Sequence, residues 1–411
     1  MTTDRQILRG LAGKYRLYAE EEHNTQSARL HKASNDLHMI RPVVLIDELP
    51  WHEMELEDEL TLRCADPYLR EAEQFFRREI YKYEHLRADM ILRPYVPVGK
   101  VIHSSGIGIT VKENVLDTDK RNNIKSHEYL DQLDTMEALE KLHPAVITYD
   151  EAETNRRFQL VGDAVGDILP VRKTGMEFAP FGTWDYIARY RGVTPLLISL
   201  AEEPELCHAT AKKLIDIFMD MMDQYLALGL FDVHPHSLHC TPILSDDLKG
   251  DDFDGEHLTY QNIWGRGAAQ IFASVSREMH EEFDINYMKT ALGRHGLVYY
   301  GCCEPLDKKI DLVEKIPHLR KISITPWADV QAGAEAIGKK YVLASKPNPA
   351  SVAVPVLDTD ALRAELGNIL DACRKNGCAV DIVLKDISTC HRRPQNIFEW
   401  ERIAMEMVRN F

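Results

Sequence analysis

The stretch Gly293-Arg294-His295-Gly296-Leu297-Val298-Tyr299-Tyr300-Gly301-Cys302-Cys303-Glu304-Pro305 holds the repeating unit of this chain. Leu297 to Tyr300 is a short run of aliphatic, β-branched and aromatic residues, the composition that suits a pleated, buried strand. Gly301 and Pro305 end the run, and between them stand two thiols and an acid. Similar runs appear at 43–46, 89–92, 168–171, 230–233, 321–324, 341–344 and 381–384, which makes eight expected strands with 297–300. Amphipathic stretches lie between them. In PELCHATAKKLIDIFMDMMDQYLALG (204–229) apolar residues return every three or four positions and a glycine closes the segment. In DTDALRAELGNILDACRKNGC (358–378), Asp358 or Thr359 is the expected cap and Gly377 the stop. Strands alternating with helices favour parallel pairing, and eight such units favour an α/β fold closed into a (β/α)8 TIM-type barrel. The expectation is a single domain: a helical extension over 1–40, then a barrel over 41–411 with loop insertions and a less regular first half. An open, doubly wound sheet is the alternative.

Composition narrows the function. Of 411 residues, 45% are hydrophobic and 28% charged, enough for a large core. A net charge of −16 and the lack of a basic stripe argue against nucleic acid. The start, MTTDRQILRGLAGKYRL, alternates charges where a signal peptide needs an apolar run, and no stretch is long enough to span a bilayer, so a cytoplasmic protein is expected. Eight dispersed cysteines in so long a chain fit free thiols. No dinucleotide fingerprint, P-loop or nucleophile elbow is present.

Barrel enzymes place their chemistry on the loops that follow the strands. Here those loops read DELPWHE (47–53), RPYVP (93–97), RKTG (172–175), HPHSLHC (234–240), GCCEP (301–305), TPWAD (325–329), SKPNP (345–349) and KDISTC (385–390). Cys302 is the leading candidate, since adjacent strand residues face opposite ways and one thiol of the pair should meet the pocket. Cys390 follows the last strand, and the ends of the fifth and eighth strands can face each other across a barrel, so Cys302 and Cys390 could share a soft ion such as zinc. The third ligand is expected from His234, His236, His239 or Cys240, with His239 preferred and Cys240 in reserve. Lys346 and Asn348, in a proline-fixed turn, are candidates for ligand contact, while Lys385 and Asp386 suit either catalysis or a structural ion pair. The acidic segment DDLKGDDFDGE (246–256) lacks the register of a calcium loop and is expected as a solvated loop over the barrel mouth.

PFGTWDYIARYRG (180–192), EEPELCHATAKKL (202–214), VSREMHEEFDINYMKTALGRHGLVYYGCCEP (275–305) and KPNPASV (346–352), in that order, resemble the uroporphyrinogen decarboxylase superfamily, which includes the corrinoid-dependent methyltransferases. The likeness spans most of the chain and weakens before Phe158. Where the decarboxylases carry a basic segment for substrate carboxylates, this chain has the acidic IRPVVLIDELPWHEME (40–55), which disfavours a tetrapyrrole. The methyltransferase branch has a His-x-Cys on the fifth strand and a Cys after the eighth; the matching residues are Tyr300-Gly301-Cys302 and Cys390, with the histidine replaced. Glu304, Cys303 or a histidine of 234–239 would fill its place.

The resemblance implies a methyltransferase that demethylates a small methoxylated or methylated compound onto a corrinoid protein, with cobalamin carried by that partner and zinc assisting. Cys302, Glu304 and Asp386 are then the expected catalytic residues. His234, His236, Lys346, Asn348 and Lys385 are expected to bind substrate, and His239, Cys302 and Cys390 the metal. The alternative is a decarboxylase or lyase of the same superfamily acting on a small anionic substrate through Lys385, Asp386 and Lys346. A third reading is a non-catalytic barrel serving as a binding or assembly subunit. Each leaves room for an oligomer.

Overall fold

The computed structural model describes residues 3–116, 125–248 and 253–411. Its centre is a seven-stranded sheet with the order Val43–Ile46, Ala379–Leu384, Val342–Ser345, Leu319–Ile324, Leu297–Tyr300, Trp264–Gly267, Ala179–Phe181. Every neighbouring pair is parallel. Parallel neighbours need long crossovers, and helices such as Val330–Ile337 and Thr359–Asn376 supply them. A second parallel pair joins Val96–Gly99 to Val171–Thr174, and just beyond it Met176 bridges to Phe231. At the other edge Asp89 N donates to Val44 O at 3.0 Å. Among the described residues no strand pair links the two edges of the main sheet.

Five of the expected strands fall where their apolar runs stand: 43–46, 297–300, and within one to two residues those at 321, 341 and 381. The first half departs from expectation. Residues 89–92 form no strand, because the buried Asp89 carboxylate turns aside to accept from Val44 N and Arg41, and the strand comes later at 96–99. The run at 168–171 contributes only Val171 to its strand, and 230–233 keeps only the bridge at Phe231. Two strands, Trp264–Gly267 and Ala179–Phe181, had no apolar run to announce them. The glycines of Trp264–Gly267 are there because a helix lies close: a Cβ on Gly267 would come within 2.7 Å of Leu292 Cδ1, and one on Gly265 within 2.9 Å of the His295 ring.

Strand alternation gives the sheet two unlike faces. Val44, Ile46, Val298, Ile322, Ile324, Leu343, Val380, Ile382 and Leu384 point toward the helices and join the main apolar core. The opposite, inner face carries Arg266, Tyr299, Lys321, Ser323 and Asp381, matched across the strands by their register. Lys321 and Asp381, both wholly buried, pair at 2.7 Å. The segment after Ser237 runs down this face. His239 lies at the strand ends, Pro242 O accepts from Lys321 Nζ at 3.0 Å, Ile243 O from Trp264 Nε1 at 3.0 Å, and Leu244 O from Asn35 Nδ2 at 2.7 Å. Leu238, Ile243 and Leu248 thus fill the space over Trp264, Leu297 and Ala344.

The helices Thr3–Ala19 and Glu22–Asn35 precede the first strand. Leu8, Ala12 and Tyr15 pack with Leu69 and Phe76 of the helix Pro67–His85, while His31 and Asn35 close the N-terminal end of the sheet. Asp246 pairs with Lys32 and Asp247 with Arg320 at this same end. The described start of the acidic segment therefore lies opposite the strand ends and not over the mouth; its residues 249–252 are outside the described residues. No helix among the described residues is long and apolar enough to cross a membrane.

Candidate functional site

Because all seven strands run the same way, the residues that follow them gather on one rim. Glu48, Cys302, Cys303, Lys385 and Asp386 meet there, and His239 comes in from the segment lining the inner face. His239 Nε2 lies 3.1 Å from Cys302 Sγ, Cys303 Sγ 3.6 Å from it, and Lys385 Nζ 4.0 Å from it. Lys385 also pairs with Asp386 at 3.0 Å and Glu48 at 3.3 Å, and Cys303 Sγ lies 3.8 Å from Asp386 Oδ2.

Backbone geometry puts Cys302 in this position. Gly301 has φ 102°, and a Cβ there would collide with Leu306 and Ser323, so the strand turns at a residue that only glycine suits. Upstream, Tyr300 faces the helix layer, where its hydroxyl donates to Asp284 Oδ2 at 2.5 Å and meets His280 Nε2 at 2.8 Å. Downstream, Cys302 turns to the interior. Glu304 holds the turn: its two oxygens accept from Cys302 N at 2.9 Å and Ala269 N at 3.1 Å. Four non-glycine residues of the rim, Glu48, His239, Cys240 and Asp386, adopt left-handed backbone (φ 50°, 45°, 66° and 56°). Such conformations cost about 1–3 kcal/mol each and collect where a fold is made to present side chains in one place.

The electrostatics favour a thiolate at Cys302. The hydrogen bond from Cys303 lowers its pKa, burial opposes this, and His239, Lys385 and Arg266 add to the lowering. Cys303 moves the other way, because it donates to its neighbour and is itself shielded. For Lys385, burial works against the charge but Cys302 and Glu48 outweigh it, so the ammonium persists. Burial pushes Glu304 up to about 7 and Lys346 down to about 8. Together these groups form a thiolate flanked by an imidazole and an ammonium, an arrangement able to hold or deliver a proton beside a reacting atom.

The remaining sequence candidates lie elsewhere. Lys346, following its strand, points to the inner face near Cys240 and Asp381. Burial raises the Cys240 thiol, so it stays protonated. Asn348 caps a short helical turn, its Oδ1 accepting from Ala350 N at 3.0 Å. His234 is exposed, with its backbone N on Asp232 Oδ1. His236 is half-buried, held neutral by burial, and its cationic neighbours are Arg93 and Lys82. Cys390 Sγ donates to Glu53 Oε2 at 3.4 Å, and the same carboxylate accepts from Thr389, Cys390 N and Arg392 N. Burial and Glu53 push that thiol up to about 11.

His239 and Cys302 offer the nitrogen and sulfur that zinc favours, whereas Cys390 is engaged by Glu53, so the expected set of three does not close around one point. Among the described residues the three-donor group that does is Glu59, Glu84 and His85, on and beside the helix Pro67–His85. The sequence reading missed Glu48, Glu53, Arg266 and Tyr299. Glu48 and Glu53 lie in a strand-end loop rich in acids, a usable signal; Arg266 had none, because its strand carried no apolar run.

No family model matches the chain, and no curated protein does. Seventeen chains of solved structures match. One, described as a methyltransferase from Methanosarcina mazei, superposes with a TM-score of 0.48 and 12% identity over 92% of this chain and 98% of that chain.

Proposed function

We propose that this chain is a methyltransferase that removes a methyl group from a small methoxylated or methylated compound and passes it to a corrinoid protein, on a sheet that closes as a (β/α)8 barrel. The observation that carries the reading is the Cys302 sulfur at the strand ends, within 3.1 Å of His239 and 4.0 Å of Lys385. It stands at the cysteine of the register by which the sequence resembles corrinoid-dependent methyltransferases. The corrinoid of the partner supplies the nucleophile that accepts the methyl group.

A methyl ether or amine leaves poorly unless its heteroatom is protonated or polarised. On this chain the donors for that proton are His239 Nε2 and Lys385 Nζ. The Cys302 thiolate favours the charged ammonium of Lys385, and the buried turn held by Glu304 fixes the position of Cys302. Cys390 is held by Glu53, so His239, Cys302 and Cys390 do not converge on one zinc position.

The test is a panel of methylated donors with reduced corrinoid protein, followed by the cobalamin absorbance change, with zinc measured on the same preparation. Methyl transfer by the wild type and its loss in Cys302→Ser are expected. Full activity in Cys302→Ser, together with no zinc in protein purified without added metal, would end the reading. Carbon dioxide release with no corrinoid requirement would favour the decarboxylase.

A further inference from the structure

Of the eight cysteines only Cys303 is exposed, and its sulfur stands 3.6 Å from that of Cys302. Neighbouring side chains of a strand face opposite ways, so two adjacent thiols in contact need a break in the strand. The left-handed turn at Gly301 and the hold of Glu304 on Cys302 N supply it. The two sulfurs are not alike. Cys302, 3% exposed, has His239 Nε2 at 3.1 Å and the Lys385 ammonium at 4.0 Å, the surroundings that make a thiol a nucleophile. Cys303 Sγ has the Asp386 carboxylate at 3.8 Å, a neighbour that favours the protonated thiol. A nucleophilic sulfur with a second thiol against it is the pairing found where oxidation is sensed and reversed. The methyl-transfer reading uses only the first of the two.

We propose that Cys302 and Cys303 form a reversible oxidation site, in which a small hydroperoxide oxidises Cys302 to a sulfenic acid and Cys303 closes it into a disulfide between adjacent residues. In the first step the Cys302 sulfur attacks one peroxide oxygen; an S–O bond forms and the O–O bond breaks. The sulfur gives up two electrons, the peroxide gains them, and its other oxygen leaves as hydroxide, which takes a proton to become water. In the second step the Cys303 sulfur attacks the Cys302 sulfur, the S–O bond breaks, and that oxygen leaves as water with the Cys303 proton. Over both steps two thiols and one hydrogen peroxide become one disulfide and two waters. From 3.6 Å the sulfurs have about 1.5 Å to close. Bridged cysteines usually have Cα atoms about 4.4–6.8 Å apart, whereas chain neighbours are about 3.8 Å apart, so the bond is strained and readily reduced. Because Cys302 is nearly covered, the oxidant is a small one, hydrogen peroxide rather than a bulky organic hydroperoxide. The site acts on the sulfur that the methyl-transfer reading uses, and rests on that reading only for the activity that oxidation switches off.

The reduced full chain is treated with hydrogen peroxide at neutral pH and its remaining thiols are alkylated. The tryptic peptide from His295 to Lys308, which holds both cysteines and no other, is then weighed by mass spectrometry. It should escape alkylation, weigh two hydrogens less than the dithiol, and return to the dithiol with dithiothreitol. Its thiols should disappear at least about tenfold faster than Cys64 and Cys207, whose burial holds them protonated. In Cys303→Ser the sulfenic acid on Cys302 should persist and be captured by dimedone; in Cys302→Ser, Cys303 should stay open to alkylation. A wild-type peptide that keeps two alkylated thiols, or that gains oxygen without forming the disulfide, overturns the proposal, and this readout needs no variant to fold. Where methyl transfer is found, the oxidised chain should lose it and dithiothreitol should return it; undiminished transfer by the disulfide form would refute the switch. A disulfide in a chain that transfers no methyl group upholds the thiol pair and sinks the methyltransferase, whereas methyl transfer by a chain whose peptide stays reduced in peroxide does the reverse.

Discussion

Lys385→Met should move the titration of Cys302 upward by a large amount. The ammonium lies 4.0 Å from the sulfur, and Cys302 is buried, so solvent screens the pair little. At an effective dielectric near 20, two unit charges at that separation interact by about 4 kcal/mol. With about 1.4 kcal/mol per pKa unit, removing the ammonium raises the thiol by up to about three units, toward the ordinary value near 8.5. The measurement is the ultraviolet absorbance of the thiolate against pH in the presence of a chelator, with Cys302→Ser as the blank. In the wild type the difference signal should persist well below neutral pH. In Lys385→Met the step should appear at higher pH, and in His239→Ala it should move the same way by at least as much, because the His239 hydrogen bond is the larger of the two contributions. A wild-type step at the ordinary thiol position, or a Lys385→Met profile that overlays the wild type, would refute the thiolate and with it the chemistry assigned to the rim.

The buried pair Lys321–Asp381 and the turn carboxylate Glu304 give two more tests. Lys321→Met alone should cost about 3–5 kcal/mol in urea unfolding by leaving Asp381 uncompensated, and adding Asp381→Leu should recover most of it; a double variant as unstable as the sum of the singles would contradict the inner-face register. Glu304 has its pKa raised by burial from 4.5 to about 7, so the folded chain holds a proton the unfolded chain has released, and stability should fall as pH rises through that interval. Glu304→Gln should flatten the slope, at the cost of one of the two backbone hydrogen bonds; parallel slopes in the two proteins would exclude Glu304 as its source.

The chain from Leu297 onward was the readable part. Its strands are apolar runs framed by Gly, Pro and caps, such as Asp358 accepting from Ala361 N and Gly377 ending the helix in the left-handed region. The chain before Leu297 hides most of its strands, because an acid at 89 and glycines at 265 and 267 answer to neighbours elsewhere in the fold. The site divides similarly. Cys302, His239, Lys385 and Asp386 could be singled out because polar, reactive residues after apolar runs must fall on one rim when strands are parallel.

Residue order by itself thus determined an α/β chain with parallel pairing, a rim of thiols, histidine and lysine, and the placing of Cys302 among its strand-end groups. Only the tertiary structure decided which of those groups touch. Periodicity reports which face a side chain takes but not what stands across from it. Gly301 turns Tyr300 into the helix layer and Cys302 inward, the segment after Ser237 carries His239 to that sulfur, and Glu53 draws Cys390 to itself. Lys346 is legible in the sequence as a strand-end lysine. That its Nζ is buried beside Asp381 with no hydrogen-bond partner among the described residues depends on strands far apart in the chain being brought together.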